Sequence, residues 1–119
     1  MKVLDGRQRF IIEMGMGNDM YGGDMTKAAG RAIEDAIRHS SIPMFEVLGL
    51  PHDEMRVEVT VAVPKPDEVD CEALATHLPR GQAVVRAVEG GLHIKTTASA
   101  QGIVVATAAV EAYLPNQTE

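Results

Sequence analysis

The sequence contains no tryptophan and only two phenylalanines and two tyrosines, so aromatic rings cannot carry its core. Its apolar fraction, 45%, is made mainly of Ala, Val, Ile, Leu and seven Met. A core of such small side chains is thin, and its elements must approach one another closely. A single cysteine, Cys71, excludes an internal disulfide and a cysteine-cluster metal site; it reads most simply as a small buried residue. No apolar run approaches the ~18 residues that span a bilayer. No apolar signal segment follows Lys2, so a cytoplasmic location is expected and a membrane partner is not. Basic residues are also few: eleven Lys and Arg face seventeen Asp and Glu, for a net charge of −6. The basic residues are scattered rather than striped. Binding to nucleic acid through its phosphates needs a basic face, so that partner is not expected either.

What is present is one domain's worth of chain, 119 residues, with no internal repeat, low-complexity tract or dividing linker. A single domain over 1–119 is expected, with "NQTE" a frayed tail. "QRFIIEM", 8–14, is rich in β-formers with little alternation, as in a strand covered on both faces. A helix is predicted from about Met25 to His39. Asp24 stands at its N-cap, and Ala28, Ala29, Ala32, Ile33, Ala36 and Ile37 recur at the helical period. An alanine face lets a helix sit close on a sheet. Pro43 lies beyond its end. "MFEVLG", 44–49, reads as a second strand. "MRVEVTVAV", 55–63, alternates strictly, with Val57, Val59, Val61 and Val63 on one face.

Pro64 and Pro66 stop that strand. Asp70 then caps a short helix over 71–77, with Val69 and Leu74 placed as a hydrophobic staple, and Pro79 and Gly81 close it. "QAVVRAV", 82–88, is a strand, "EGG" a turn or bulge, and "LHIKT", 92–96, a hairpin return. "IVVATAAVEAYL" mixes alanines with a β-branched run; the run favours a strand, apolar on both faces and therefore central or at a subunit contact. The order fits an α+β fold with a ferredoxin-like βαββαβ core, additional C-terminal strands and helices on one face of a mixed or antiparallel sheet. Such a sheet leaves its other face to be covered, and a second copy of the chain is the expected cover, making the protein a homo-oligomer.

Chemistry concentrates between the first strand and the first helix, in "GMGNDMYGGD". Three readings are open. The stretch can cradle a phosphate or carboxylate on glycine amides at a helix N-terminus, with Lys27 helping. Against this, the spacing matches neither GxGxxG nor GxxxxGK[ST], and Asp19 and Asp24 bring negative charge. It can hold a divalent metal or a general base at Asp19, with Glu13, Asp24, His39, His52, His77 or His93 as co-ligands. Or Asp19 braces its own turn by Asx-type bonds while the glycines take positive φ. Met14, Met16, Met20 and Met25 surround the stretch, either as ordinary packing or as the wall of a pocket with Asp19 and Tyr21 as its polar handles. No Ser-His-Asp or Cys-His pattern is legible, and Ser40, Ser41 and Ser99 sit in no nucleophile elbow.

These residues carry a resemblance. Gly15, Gly17, Asp19, Tyr21 and Gly22, followed by "DMTKAAGRAIEDAIRHSSIP" and the later "GGL", are similar to a small family of conserved hypothetical proteins. That family was first catalogued from a listerial genome and occurs in scattered bacteria and in plants. Its hallmark is GxGxDxHG, and the likeness covers most of the chain. It implies that the glycine stretch is a functional centre and assigns no reaction. The hallmark histidine is Tyr21 here: an imidazole ligates metals, whereas a phenol mainly donates a hydrogen bond. A GxGxDxH string also opens the cyclodiphosphate synthase of the non-mevalonate isoprenoid pathway, where its Asp and His bind a divalent metal, but that likeness ends after those few residues.

The expectation is thus a small oligomeric protein that binds a small metabolite, with or without a divalent metal, at the loop 15–22. Gly15, Gly17, Gly22 and Lys27 would line the ligand. Asp19 would serve as base or metal ligand, and Tyr21 as hydrogen-bond donor or acid. The alternative is a non-catalytic oligomeric module whose glycine-rich loop forms a subunit contact.

Overall fold

A computed structural model of the chain describes residues 7–38, 56–76, 78, 82–97 and 99–115. Strand β1 (Arg7–Asp19) leads into helix α1 (Met25–Arg38). Strand β2 (Arg56–Val63) is followed by a 3-10 turn (Pro66–Glu68), the short helix α2 (Cys71–Ala75) and strands β3 (Gln82–Glu89), β4 (Leu92–Thr96) and β5 (Ser99–Pro115). The strand expected at 44–49 lies outside the described residues, as do Pro43, Pro79, Gly81 and the C-terminal tail. Among the described residues no helix is long and apolar enough to cross a membrane.

The fold is α+β: among the described residues two helices lie on a mixed five-stranded sheet, with strand order β1-β5-β2-β3 and β4 paired to β5. β1 and β2 are each antiparallel to β5, which lies between them. They therefore run parallel to each other, and β1–α1–β2 is a split βαβ unit. The second unit, β2–α2–β3, instead joins adjacent parallel strands. β5 is central, as its two apolar faces require. At 17 residues it is long enough to serve two partners on one side, β2 against its C-terminal half and β4 against its N-terminal half. β4 is thus not a hairpin return on β3. Gly90 donates its N–H to Val63 O at 2.9 Å, stepping the chain past the end of β2 and onto β5.

One face of the sheet carries the core. Val57, Val59, Val61 and Val63 alternate with half-buried residues and meet Val104, Ala106, Ala108, Val110 and Ala112 of β5 beneath the alanine stripe of α1. Asp70 caps α2 by accepting from Ala73 N at 3.1 Å. Leu74 is buried and Val69 packs on the same cluster, as a staple would. Thr26 Oγ1 ties the start of α1 to this segment, accepting from Asp70 N at 2.9 Å.

A close backbone approach lies between α1 and β1, and it corrects the sequence reading. Gly15 and Gly17 are not turn residues; β1 continues through both to Asp19. They face α1. A Cβ at Gly15 would stand 2.3 Å from Ala36 N and 2.4 Å from Ala32 O, and one at Gly17 would stand 2.3 Å from Ala32 N. Main chain rests on main chain, so no rotamer can relieve a larger residue. The helix also leans over the edge of β1 that faces away from β5: Asp35 Oδ2 accepts Met16 N at 3.0 Å, and Arg31 Nη1 donates to Asn18 O at 2.7 Å. These bonds occupy edge groups that would otherwise invite another strand.

Gly17→Ala is expected to destabilise the fold by roughly 1–3 kcal/mol or more, the cost of overpacking where only backbone can give way. Urea unfolding of the variant against wild type measures it; an unchanged midpoint would contradict the contact.

Candidate functional site

β1 ends at Asp19, on the face that α1 covers, and the chain reaches the helix through Met20–Asp24. Gly23 takes φ +62°, a conformation that L side chains rarely adopt. Asp19 is the organiser of this loop. It is 6% exposed, and its Oδ2 accepts Gly22 N at 3.2 Å and Asp24 N at 2.9 Å. Its Oδ1 lies 3.7 Å from Arg31 Nη1, the nitrogen that also donates to Asn18 O. Asp24 repeats the device one turn on: its Oδ1 accepts Lys27 N at 3.0 Å and its carbonyl accepts Ala28 N at 3.1 Å, the N-cap that the sequence predicts.

The loop amides of Gly22, Asp24 and Lys27 are therefore already bonded to carboxylates of the same chain. A phosphate cradle built from those amides has no donors left there. Asp19 takes the Asx-type bracing role among the three readings, with both its oxygens engaged. A divalent ion fares no better on geometry. Among the described residues no three His, Cys, Asp or Glu side chains gather where they could hold one. His39, His52 and His77 lie outside those residues; His93 is on β4, with its Nε2 against Gln101 O, and Glu13 faces inward earlier on β1.

What the loop leaves open is a pocket of about 450 Å³ lined by Asp19, Met20, Tyr21, Gly22, Asp24, Lys27 and Arg31. The Tyr21 side chain stands out at its rim, 67% exposed, and Lys27 and Arg31 are exposed beside it. The structure thus brings Asp19, Tyr21, Gly22 and Lys27 together. It removes Gly15 and Gly17 to the helix contact. It adds Arg31, which the sequence reading passed over. The signal was there: Lys27 and Arg31 are four apart on one helix face, directly after the loop. A side chain at 22 would press on the brace, since a Cβ there would lie 3.1 Å from Asp19 Oδ2.

Asp19→Ala is expected to leave two loop amides without their acceptor and to cost about 1–3 kcal/mol, while Asp19→Asn, which keeps an acceptor oxygen, costs less. Denaturant midpoints, with amide exchange at Gly22 and Asp24, check the difference; equal losses in the two variants would contradict the bracing role.

The comparisons agree on kinship and give no chemistry. The family model described as "Conserved hypothetical protein (Lin0512_fam)" matches residues 9–112. No curated protein matches the chain. Among solved structures the chain is similar to an FtsZ-like protein of unknown function from Nostoc punctiforme, with 39% identity and a TM-score of 0.80, covering 93% of this chain and 98% of that one. With the family match running from within β1 to near the end of β5, the chain belongs to the Lin0512 family of conserved hypothetical proteins.

Proposed function

We propose that this chain is a cytoplasmic, homo-oligomeric protein that binds a small metabolite bearing a carboxylate or phosphate at the pocket over Asp19–Asp24. The observation that supports it most is the division of labour in the loop. Asp19 and Asp24 take up the amides of Gly22, Asp24 and Lys27, and the Lys27 ammonium, the Arg31 guanidinium and the Tyr21 phenol line the opening beside the exposed Asp24 carboxylate. A guanidinium held at Asn18 O and beside Asp19 is pre-oriented, and an anion can engage it without first ordering it. Tyr21 offers a ring face and a hydroxyl in the same opening, a common pairing in small-molecule sites. In this reading Asp19 is a positioning residue. Tyr21 and Lys27 touch the ligand, and Gly22 keeps the entrance narrow-walled.

A second reading draws on the exposure of Met20 and Tyr21, 44% and 67%. There the loop is a subunit contact of a non-catalytic module, and the pocket is space that a neighbour fills.

An NMR titration of the amide spectrum with inorganic phosphate, citrate and adenosine monophosphate tests the first reading. Saturable shifts at Gly22 and Gly23 are expected, with affinity falling about tenfold, or ~1.4 kcal/mol, in Lys27→Ala. Manganese added alone as a paramagnetic probe covers the divalent-ion version, by broadening the same amides. No response at the loop to any of these probes, together with a Tyr21→Ala variant of reduced mass in solution, would favour the second reading.

A further inference from the structure

Lys27 and Arg31 line more than the pocket over the loop. The same two side chains stand on the rim of a second cavity, about 360 Å³, between α1 and α2. Its floor is Gly30, Ile33 and Ile37 of α1 with Leu74 of α2. Ile33 and Leu74 are buried and Ile37 is half-buried, whereas Lys27, Arg31 and Glu34 are exposed above them. Thr26, at the upper end, has its hydroxyl engaged by Glu68 O and Asp70 N. Thr26, Gly30, Ile33 and Ile37 follow at helical steps of four, three and four, so the groove runs along the helix as one stripe. Gly30 is what keeps it open. A Cβ there would meet Leu74 Cδ2 at 3.4 Å, an ordinary contact, unlike the collisions at Gly15 and Gly17. Glycine weakens a helix interior relative to alanine. Here packing does not demand it, and its effect is a groove wall one side chain short.

We infer that the ligand of the loop pocket is an amphiphile, an anionic head group carrying an aliphatic chain. The head sits on Lys27 and Arg31, and the chain lies in the groove along Gly30, Ile33 and Ile37 against Leu74. The inference rests on the anion pocket of the proposed function and names the class of molecule it takes. Continuity supports it first: two cations shared by a polar pocket and an apolar groove join the two into one site with a charged end and a greasy end. Charge supports it next. Asp24 on the loop side and Glu34 on the groove side bracket Lys27 and Arg31, so an anion is held at the cations and repelled further along the groove. That leaves one orientation, with the chain pointing towards Ile37. Length is the third observation. From Gly30 to Ile37 the helix rises about 10 Å, roughly the extended length of an eight-carbon chain.

NMR titrations of protein labelled at the Ile and Leu methyls test it, with methyl phosphate and with octyl phosphate kept below its micelle concentration. Both are expected to shift the amides of Gly22 and Gly23, and octyl phosphate alone to shift the methyls of Ile33, Ile37 and Leu74. Octyl phosphate is expected to bind roughly tenfold to a hundredfold tighter, since each fully buried methylene is worth about fourfold in affinity. Gly30→Leu, which puts a side chain into the groove, is expected to lose that gain, with circular dichroism as the check that the fold is kept. Equal affinities for the two phosphates in wild type, or octyl shifts confined to the exposed Leu92 and Ile94, overturn the chain site and leave the anion pocket standing. Groove methyls that move with protein concentration alone give the groove to a second copy and overturn it as well. Loop amides silent to both phosphates overturn the anion pocket and this inference together.

Discussion

Everything positioned in this molecule depends on one contact, the backbone of β1 against the backbone of α1 at Gly15 and Gly17. A chain without tryptophan and nearly without phenylalanine has no bulky wedge to fill the space between helix and sheet. It fills that space by removing it. Two glycines on the strand meet an alanine stripe on the helix, and the layers close until main-chain atoms touch. Density of packing, rather than area per side chain, then supplies the dispersion contacts.

The same seating sets the chemistry. With α1 this low over β1, Arg31 reaches the carbonyl of Asn18 and the carboxylate of Asp19, and Asp35 reaches the amide of Met16. The helix start is drawn to the end of the strand, and five residues must make the turn. Asp19 solves the backbone problem of that turn by accepting two of its amides, and Asp24 solves the next by capping the helix. The acids that looked reactive in sequence are engaged in architecture, and Tyr21, Lys27 and Arg31 stand exposed beside them. The glycines act at a distance from the opening they help to shape.

Most of the fold was legible in the sequence because its periodicities are clean. The valine alternation of β2, the alanine stripe of α1 and the Asp70 cap each follow from local rules, and each is present. The β-branched run at 103–110 points to a strand that is central or at a subunit contact, and β5 is central. Two features were not legible because they are tertiary. A glycine in a strand and a glycine in a turn look alike along the chain, and only the helix resting on Gly15 and Gly17 distinguishes them as strand residues. β4 was read as returning on β3, because nothing local shows that β5 outlasts β2 and leaves room beside it. At the site, Asp19, Tyr21, Gly22 and Lys27 could be grouped from proximity alone, but whether the carboxylate faced a guest or its own amides depended on φ angles that sequence does not print.

The most direct test of this account is native-state amide exchange in Gly17→Ala beside Val59→Ala, a core variant on β2 chosen to lower global stability without altering the β1–α1 contact at Gly15 and Gly17. The account predicts that Met16, Gly22 and Asp24 lose protection beyond the global loss in Gly17→Ala and only in step with it in Val59→Ala. Equal, purely global losses in both variants would contradict it, because the loop would then be held independently of the glycine contact.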